Sequence, residues 1–103
     1  METEVFILNR MKEQELNAIT ERYRNTDKDL REELADVKSL SEEKRLAGED
    51  ISAEIQKAKN IENMRDAYYD KMLEERNLVI KKYQEQIERV EEKKEEKGLS
   101  MGM

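Results

Sequence analysis

The sequence predicts an all-α fold, an antiparallel helical hairpin that bends near Gly48 and packs in the manner of a coiled coil. Two observations indicate helices: proline is absent, and the commonest residues are the good helix formers Glu, Lys, Leu and Arg. The third observation is that apolar residues recur at helical spacing in both halves of the chain. Gly48 is the only glycine before residue 98, so the break is expected there.

The first half carries one apolar face with a few polar members. Its residues follow one another in steps of three and four, which places them on one side of a helix. Spacings of eleven also recur, and such a repeat favours nearly straight packing over the left-handed supercoil of strict heptads. The face consists of Val5, Leu8, Lys12, Leu16, Ile19, Tyr23, Thr26, Leu30, Leu34, Val37 and Ser41.

The second half repeats this spacing at Ile61, Met72 and Tyr83, again eleven residues apart. Arg65 and Arg76 border its apolar face. We interpret them, like the polar members of the first face, as long or small side chains that reach solvent at the edge of the packed surface. The alternative interpretation is that such residues fix the register between helices.

The residues around Gly48 predict that one helix ends and another begins. Lys44 and Arg45 precede the glycine, where cations suit a helix C-terminus, and Asp50 follows it, where an acid suits an N-terminus and can cap it. The alternative is that the helix continues, because steps of three and four persist across the glycine and one glycine costs only about 1 kcal/mol. The chain would then be one long continuous helix in a parallel coiled-coil dimer.

Charge favours the hairpin. The second half has a row of four acids at spacings of four, which repel one another on an isolated helix. A fold at Gly48 in which facing residue numbers sum to about 97 or 98 brings these acids to a basic row in the first half, and it aligns the apolar faces as well. The expected pairs are Glu74 with Arg24, Asp70 with Lys28, and Asp66 with Arg31.

The sequence therefore predicts a single helical hairpin over residues 1–97. Helix 1 is expected over about 3–46, the turn over about 47–49 and helix 2 over about 50–96. Residues 98–103 are expected to form a flexible C-terminal tail, since Gly98 follows a highly charged helix end.

Apolar residues spread around much of the second arm, beyond a single stripe. Small helical folds commonly need oligomerisation for stability, and exposed apolar surface commonly marks a contact. We expect a homodimer of hairpins packed as a four-helix bundle, or else docking on other helical proteins. The expected interface residues are Tyr68, Tyr69, Met72, Leu73, Leu78, Val79 and Ile80.

Composition excludes most site chemistry. The chain has neither cysteine nor histidine, which removes Cys/His metal sites and Ser–His or Cys–His nucleophile pairs, and it has no glycine-rich loop to hold a phosphate. We therefore expect no enzyme activity, no cofactor, no metal and no small-molecule substrate.

Residues 1–48 hold 9 basic and 12 acidic residues and residues 49–103 hold 11 and 14, so each half carries a net charge of −3. Without a basic cluster, neither nucleic acid nor a membrane is an expected partner.

These observations predict a non-enzymatic interaction protein, a spacer, adaptor or assembly subunit that acts through apolar helix faces. A small acidic inhibitor or decoy of a basic surface is the alternative. No secretory signal or membrane span is apparent, so we expect a cytoplasmic protein.

In length and in the glycine at its bend, the chain resembles the WXG-type secreted helical-hairpin proteins. This resemblance implies an export-associated role as a further alternative. The matching stretch is Leu46-Ala47-Gly48, without the family's tryptophan, and the family's Tyr-x-x-x-Asp/Glu motif is absent after helix 2.

Overall fold

The computed structural model describes residues 3–101, with side chains as far as Lys94. The described residues form two α-helices and no strand: α1 spans Glu4–Leu46 and α2 spans Ser52–Met101. The predicted all-helical hairpin is thus confirmed, and the chain is not one continuous helix. Helix α2 continues past Gly98, while the side chains beyond Lys94 and the last two residues of the predicted tail lie outside the described residues.

Both ends of α1 have their free backbone groups capped. At the start, the Phe6 N–H donates to Thr3 Oγ1 over 3.2 Å, as expected of a threonine cap. At the end, the Gly48 N–H donates to Arg45 O over 3.1 Å and the Glu49 N–H donates to Lys44 O over 2.9 Å. This is the Schellman motif, which requires a left-handed residue just beyond the helix, and Gly48 has a φ of +74°.

Helix α2 begins with an acidic cap. Asp50 Oδ1 accepts hydrogen bonds from the Ser52 backbone N–H over 3.1 Å and from the Ser52 hydroxyl over 2.6 Å. The two hydrogen bonds lower the pKa of Asp50, because both donors favour the charged carboxylate. A charged Asp50 at this position also complements the partial positive charge of the helix N-terminus.

The chain divides into two compact units, each containing part of both helices. The turn unit comprises residues 20–73, and the terminal unit comprises residues 1–19 and 74–103. In the turn unit, Leu30, Leu34, Val37 and Ile61 form a buried apolar cluster, and Ala58 packs against it. Ile61 is 3% exposed and lies opposite three α1 residues, so this cluster is what holds the two helices of the turn unit together.

The terminal unit has a thinner core. Ile19 and Tyr83 are its buried apolar residues among those that the structure describes, with Tyr83 only 2% exposed. The other apolar residues on the same faces are half-buried: Val5, Leu8, Leu16, Val79, Ile87 and Val90. The helices of this unit therefore cover each other only partly.

The burial pattern follows the predicted faces. Every residue of the apolar face predicted in the first half is buried or half-buried, including its polar members. In α2, the row of Ile61, Met72 and Tyr83 is buried at all three positions. The eleven-residue spacing therefore marks the packed side of each helix, as it should where helices pack with little supercoil.

Candidate interaction site

A salt bridge joins the two helix ends beside the predicted turn residue Gly48. The Lys44 ammonium, in the last turn of α1, donates to Glu54 Oε1 in the first turn of α2. This contact raises the pKa of Lys44 and lowers the pKa of Glu54, which its own backbone N–H lowers further. Each charge also has the sign that its helix end favours. Sequence reasoning used Lys44 as a helix-end signal but missed Glu54 as its partner.

Beside this salt bridge, an open groove of about 470 Å³ runs along the turn unit. It is lined by apolar, polar and charged residues of both helices: Val37, Lys38, Ser41, Glu54, Ile55, Ala58, Lys59 and Glu62. Ile55 is 57% exposed, whereas Glu54 is only 9% exposed. Glu54 Oε2 accepts no hydrogen bond although it is buried. The groove thus has a mixed apolar and charged lining, and the unsatisfied Glu54 oxygen is buried beside it.

A second polar contact between helices lies farther along the turn unit. Asp27 accepts hydrogen bonds from Arg65 Nε over 2.8 Å and from Arg65 Nη2 over 3.4 Å. The Arg31 guanidinium lies 3.2 Å from the same carboxylate. The hydrogen bond from Arg65 lowers the pKa of Asp27 and raises that of Arg65. Asp27 retains 13% side-chain exposure, so this pair is better shielded from solvent than a typical surface salt bridge.

Two tyrosines adjoin this pair. The rings of Tyr23 and Tyr69 meet edge to face, with centroids 5.8 Å apart and an interplanar angle of 61°. That geometry is favourable for aromatic pairs and adds apolar contact between α1 and α2. Burial raises the pKa of the Tyr23 hydroxyl, and the Asp27 charge adds to the effect.

Most members of the charge pairs predicted within the turn unit lie on its exposed surface. Lys28, Asp66 and Asp70 are exposed, and Arg31 contacts Asp27 of its own helix. Successive residues are about 100° apart around a helix, so Lys28 lies on the outer side whereas Asp27 borders the packed face. Arg24 and Glu74, the third expected pair, belong to different units and are both exposed.

In the terminal unit, long cationic side chains join the two helices. Lys82 Nζ lies 3.0 Å from Glu15 Oε2 and 4.6 Å from the centre of the Tyr83 ring. Arg76 Nη1 donates to the backbone carbonyl of Leu16 over 3.3 Å. Arg76, like Arg65, therefore reaches across to α1, which supports the alternative interpretation that these border residues help to fix register.

The residues predicted for an interface fall into two groups. Met72 is buried and Val79 is half-buried, so both contribute to packing within their own units. The others present large apolar surface to solvent: Tyr68, Tyr69, Leu73, Leu78 and Ile80. The Tyr69 ring also packs edge to face against the Tyr23 ring.

Among the described residues, no three Asp or Glu side chains lie together as a metal site would require. Neither helix, over its described length, is apolar enough to cross a membrane. No known protein family, curated protein or solved structure matches the chain. The functional conclusion therefore depends on the surfaces of this chain alone.

Proposed function

We propose that this chain is a non-enzymatic coiled-coil interaction protein that serves as a spacer, adaptor or assembly subunit. It would act by packing exposed apolar helix faces against a second copy, as a four-helix bundle of two hairpins, or against another helical protein. Polar contacts such as Asp27–Arg65 would keep the two helices in one register, so that the outward faces are presented in a fixed order.

The observation that carries this proposal is the large apolar surface that remains in the terminal unit. Its exposed apolar residues are Phe6, Ile7, Met11, Leu78 and Ile80. In this unit only two apolar residues, Ile19 and Tyr83, are buried among those described. Surfaces of this kind on a small helical fold are typical of contacts with another chain.

The test is the oligomeric state. We expect sedimentation equilibrium at tens of micromolar to show a dimer, and we expect the double variant Leu78→Ser, Ile80→Ser to shift it to a monomer with unchanged helicity. Leu46→Ser is the matched control, because Leu46 is even more exposed but lies at the end of α1 in the turn unit.

A second double variant, Ile7→Ser with Met11→Ser, asks whether α1 of the terminal unit shares the contact. Ile7 and Met11 are four residues apart and exposed, so serine should disturb the hairpin little. A helical monomer for the unaltered chain would rule out the homodimer and direct the search to a different helical protein. Equal loss of association in Leu46→Ser would contradict the assignment of the contact to the terminal unit.

A further inference from the structure

The turn unit carries a row of basic residues on α1 and a row of acidic residues on α2. Within each row the residues follow one another at spacings of three or four, so they share a side of their helix, and all of them are exposed. Like charges at such spacings repel one another, so each row by itself disfavours its own helix. The rows are Arg24, Lys28 and Arg31 on α1, and Glu62, Asp66 and Asp70 on α2.

The contacts beside the rows show that both lie on the same side of the hairpin. Asp27 lies 3.2 Å from Arg31 of its own helix and 2.8 Å from Arg65 of α2. An open groove of about 360 Å³ surrounds this contact. The basic row borders the groove from α1 and the acidic row borders it from α2. The residues that line the groove are Tyr23, Asp27, Glu62, Arg65, Asp66 and Tyr69.

Large apolar side chains accompany the acidic row. Tyr69 and Leu73 lie three residues after Asp66 and Asp70, and they are 46% and 39% exposed. An exposed aromatic ring beside carboxylates suits lysine and arginine, because their stems cover apolar surface while their charged ends reach the ring and the acids. This side of α2 is therefore complementary to a helix that carries a row of basic residues.

We propose that this side of the turn unit binds a second copy of the chain, with the basic row of each copy on the acidic row of the other and the two turns at the same end. A twofold axis parallel to the helices forms this contact twice, because an isologous interface repeats every pair. The contact rests on the homodimer of the proposed function and adds the orientation of its two copies.

The register within the hairpin supports this orientation. Asp27 of α1 lies opposite Arg65 of α2 in the same chain. The next residue of each helix is Lys28 and Asp66, and these two would meet between copies. Helix α1 of one copy then lies at the same level as α2 of the other, as it does within one chain. The further pairs at this level are Arg24 with Asp70 and Arg31 with Glu62.

Charge disfavours the opposite orientation. Turns at opposite ends would place α1 on α1 and α2 on α2, so that basic residues meet basic residues and acids meet acids. Like charges across an interface oppose association and select against the wrong arrangement. A second copy is the fitting occupant because one chain supplies both rows at matching levels.

The test reverses one row in each of two variants and then mixes the variants. The basic-row variant is Arg24→Glu with Lys28→Glu, and the acidic-row variant is Asp66→Lys with Asp70→Lys. One exposed pair changes association by no more than a few-fold, but the twofold axis turns two reversed pairs into four. We therefore expect each variant alone to dimerise at least about tenfold more weakly than the unaltered chain.

Mixing separates contacts between copies from contacts within a chain. The rows of the two variants are complementary to each other, so an equimolar mixture should form a heterodimer with a Kd within about threefold of that of the unaltered dimer. Repulsion within either chain is not repaired by mixing, so this recovery measures only the contact between copies. Sedimentation equilibrium of each variant and of the mixture gives the dissociation constants.

The matched control is Lys57→Glu with Lys71→Glu, which changes the net charge as much as the basic-row variant does. Both lysines are exposed on α2 and lie about 140° or more around the helix from Asp66. Mixed with the acidic-row variant, this control leaves one of the two contacts repulsive, so its heterodimer should be about fivefold weaker. Circular dichroism checks helicity, and the single reversals Lys28→Glu and Asp66→Lys replace any double variant that loses it.

A spin label at Leu46→Cys reports the orientation. Leu46 is exposed at the end of α1, and the chain has no other cysteine. With both turns at the same end, the two labels should lie within about 40 Å of each other, the width of four packed helices plus the label linkers. With the turns at opposite ends, they would be separated by roughly the length of α1, about 60 Å.

Several outcomes would overturn the proposal: equal association in the two mixtures, a basic-row variant that dimerises as tightly as the unaltered chain, labels about 60 Å apart, or an unaltered chain that is a helical monomer. A dimer that depends on Leu78 and Ile80 but not on the charged rows would leave the proposed function intact. Recovery in the mixture without any effect of Leu78→Ser, Ile80→Ser would instead support the contact in the turn unit and remove the one assigned to the terminal unit.

Discussion

The turn unit and the terminal unit consist of the same two helices with the same spacing of apolar residues, but they bury these residues to different extents. Around the turn, Leu30, Leu34, Val37 and Ile61 form a contiguous buried cluster. In the terminal unit, the corresponding positions are mostly half-buried, and only Ile19 and Tyr83 are buried among the residues described. Identical periodicity therefore does not guarantee equal burial.

Both units also carry apolar residues outside the packed faces. In the turn unit, Leu46, Ile55 and Met64 are exposed. In the terminal unit, Phe6, Ile7 and Leu78 lie outside those faces. Two helices can cover only one stripe of each other, so apolar residues outside that stripe stay exposed in a single hairpin. The two units therefore differ in how fully their facing apolar residues are buried, and both leave other apolar side chains exposed.

The largest expected effect comes from breaking the core of the turn unit. Ile61→Ala removes the one α2 member of the buried cluster and leaves a cavity, so we expect a loss of about 2–5 kcal/mol in the free energy of unfolding. Ile55→Ala, at an exposed position of the same helix, is the control and should cost little. Urea denaturation followed by circular dichroism measures both.

The same truncation in the terminal unit sharpens the comparison. Leu8→Ala removes a half-buried residue, so we expect a clearly smaller loss than for Ile61→Ala when the chain is studied at a concentration where it is monomeric. If Leu8→Ala costs as much as Ile61→Ala under those conditions, the two units do not differ in the way that their burial indicates.

The next largest loss of stability is expected from changing the backbone conformation at Gly48. An added Cβ would meet no atom within 4 Å, so Gly48→Ala tests conformation without steric clash. Alanine disfavours a φ of +74°, and we expect a loss of about 1–2 kcal/mol in the free energy of unfolding. Gly48→Asn should lose less, because asparagine tolerates this region. An unchanged stability in Gly48→Ala would mean that the left-handed turn is not required.

Low pH should lower the stability of the turn unit through protonation of Asp27. Because the hydrogen bond from Arg65 lowers its pKa below the ordinary 3.8, the stabilising contribution is fully present above that ordinary value and is lost as the pH falls through the folded value. Asp27→Asn should therefore be less stable at neutral pH and should show a shallower decline of stability below about pH 4. Thermal melts across this range provide the measurement, and parallel declines in the two proteins would contradict the assigned role of Asp27.

Sequence reasoning predicted the packed faces well because helical spacing fixes which residues share a side. Leu30, Leu34 and Ile61 were all placed on those faces, and all are buried. It did not predict which charges meet, because a stripe of like charges says nothing about its angle to the packed face. Lys28 belongs to such a stripe but points outward, while Asp27, one residue earlier, reaches Arg65.

Glu54 shows the same limitation at the candidate site. In the sequence it is one acid among many near a helix start, and Lys44 is one of two cations near a helix end. Only the packing of α1 against α2 shows that Glu54 is buried, that Lys44 takes one oxygen and that the other oxygen is left unsatisfied. Burial of a single charged group depends on neighbours distant in sequence, so periodicity cannot reveal it.

The smallest expected effect belongs to the exposed salt bridge of the terminal unit. Glu15 and Lys82 keep 42% and 48% of their side chains exposed, so water and salt screen their attraction. Lys82→Met keeps an unbranched apolar side chain but removes the ammonium, and with it both the salt bridge and the contact over the Tyr83 ring. We expect only a small change in melting temperature. The comparison is with Arg65→Met in the turn unit, which leaves the better shielded Asp27 with only the exposed Arg31 and should lower the melting temperature clearly. Raising the salt concentration should erase any effect of Lys82→Met and reduce that of Arg65→Met only in part. If the two substitutions lower the melting temperature equally at high salt, the contribution of these polar contacts to stability does not depend on their burial.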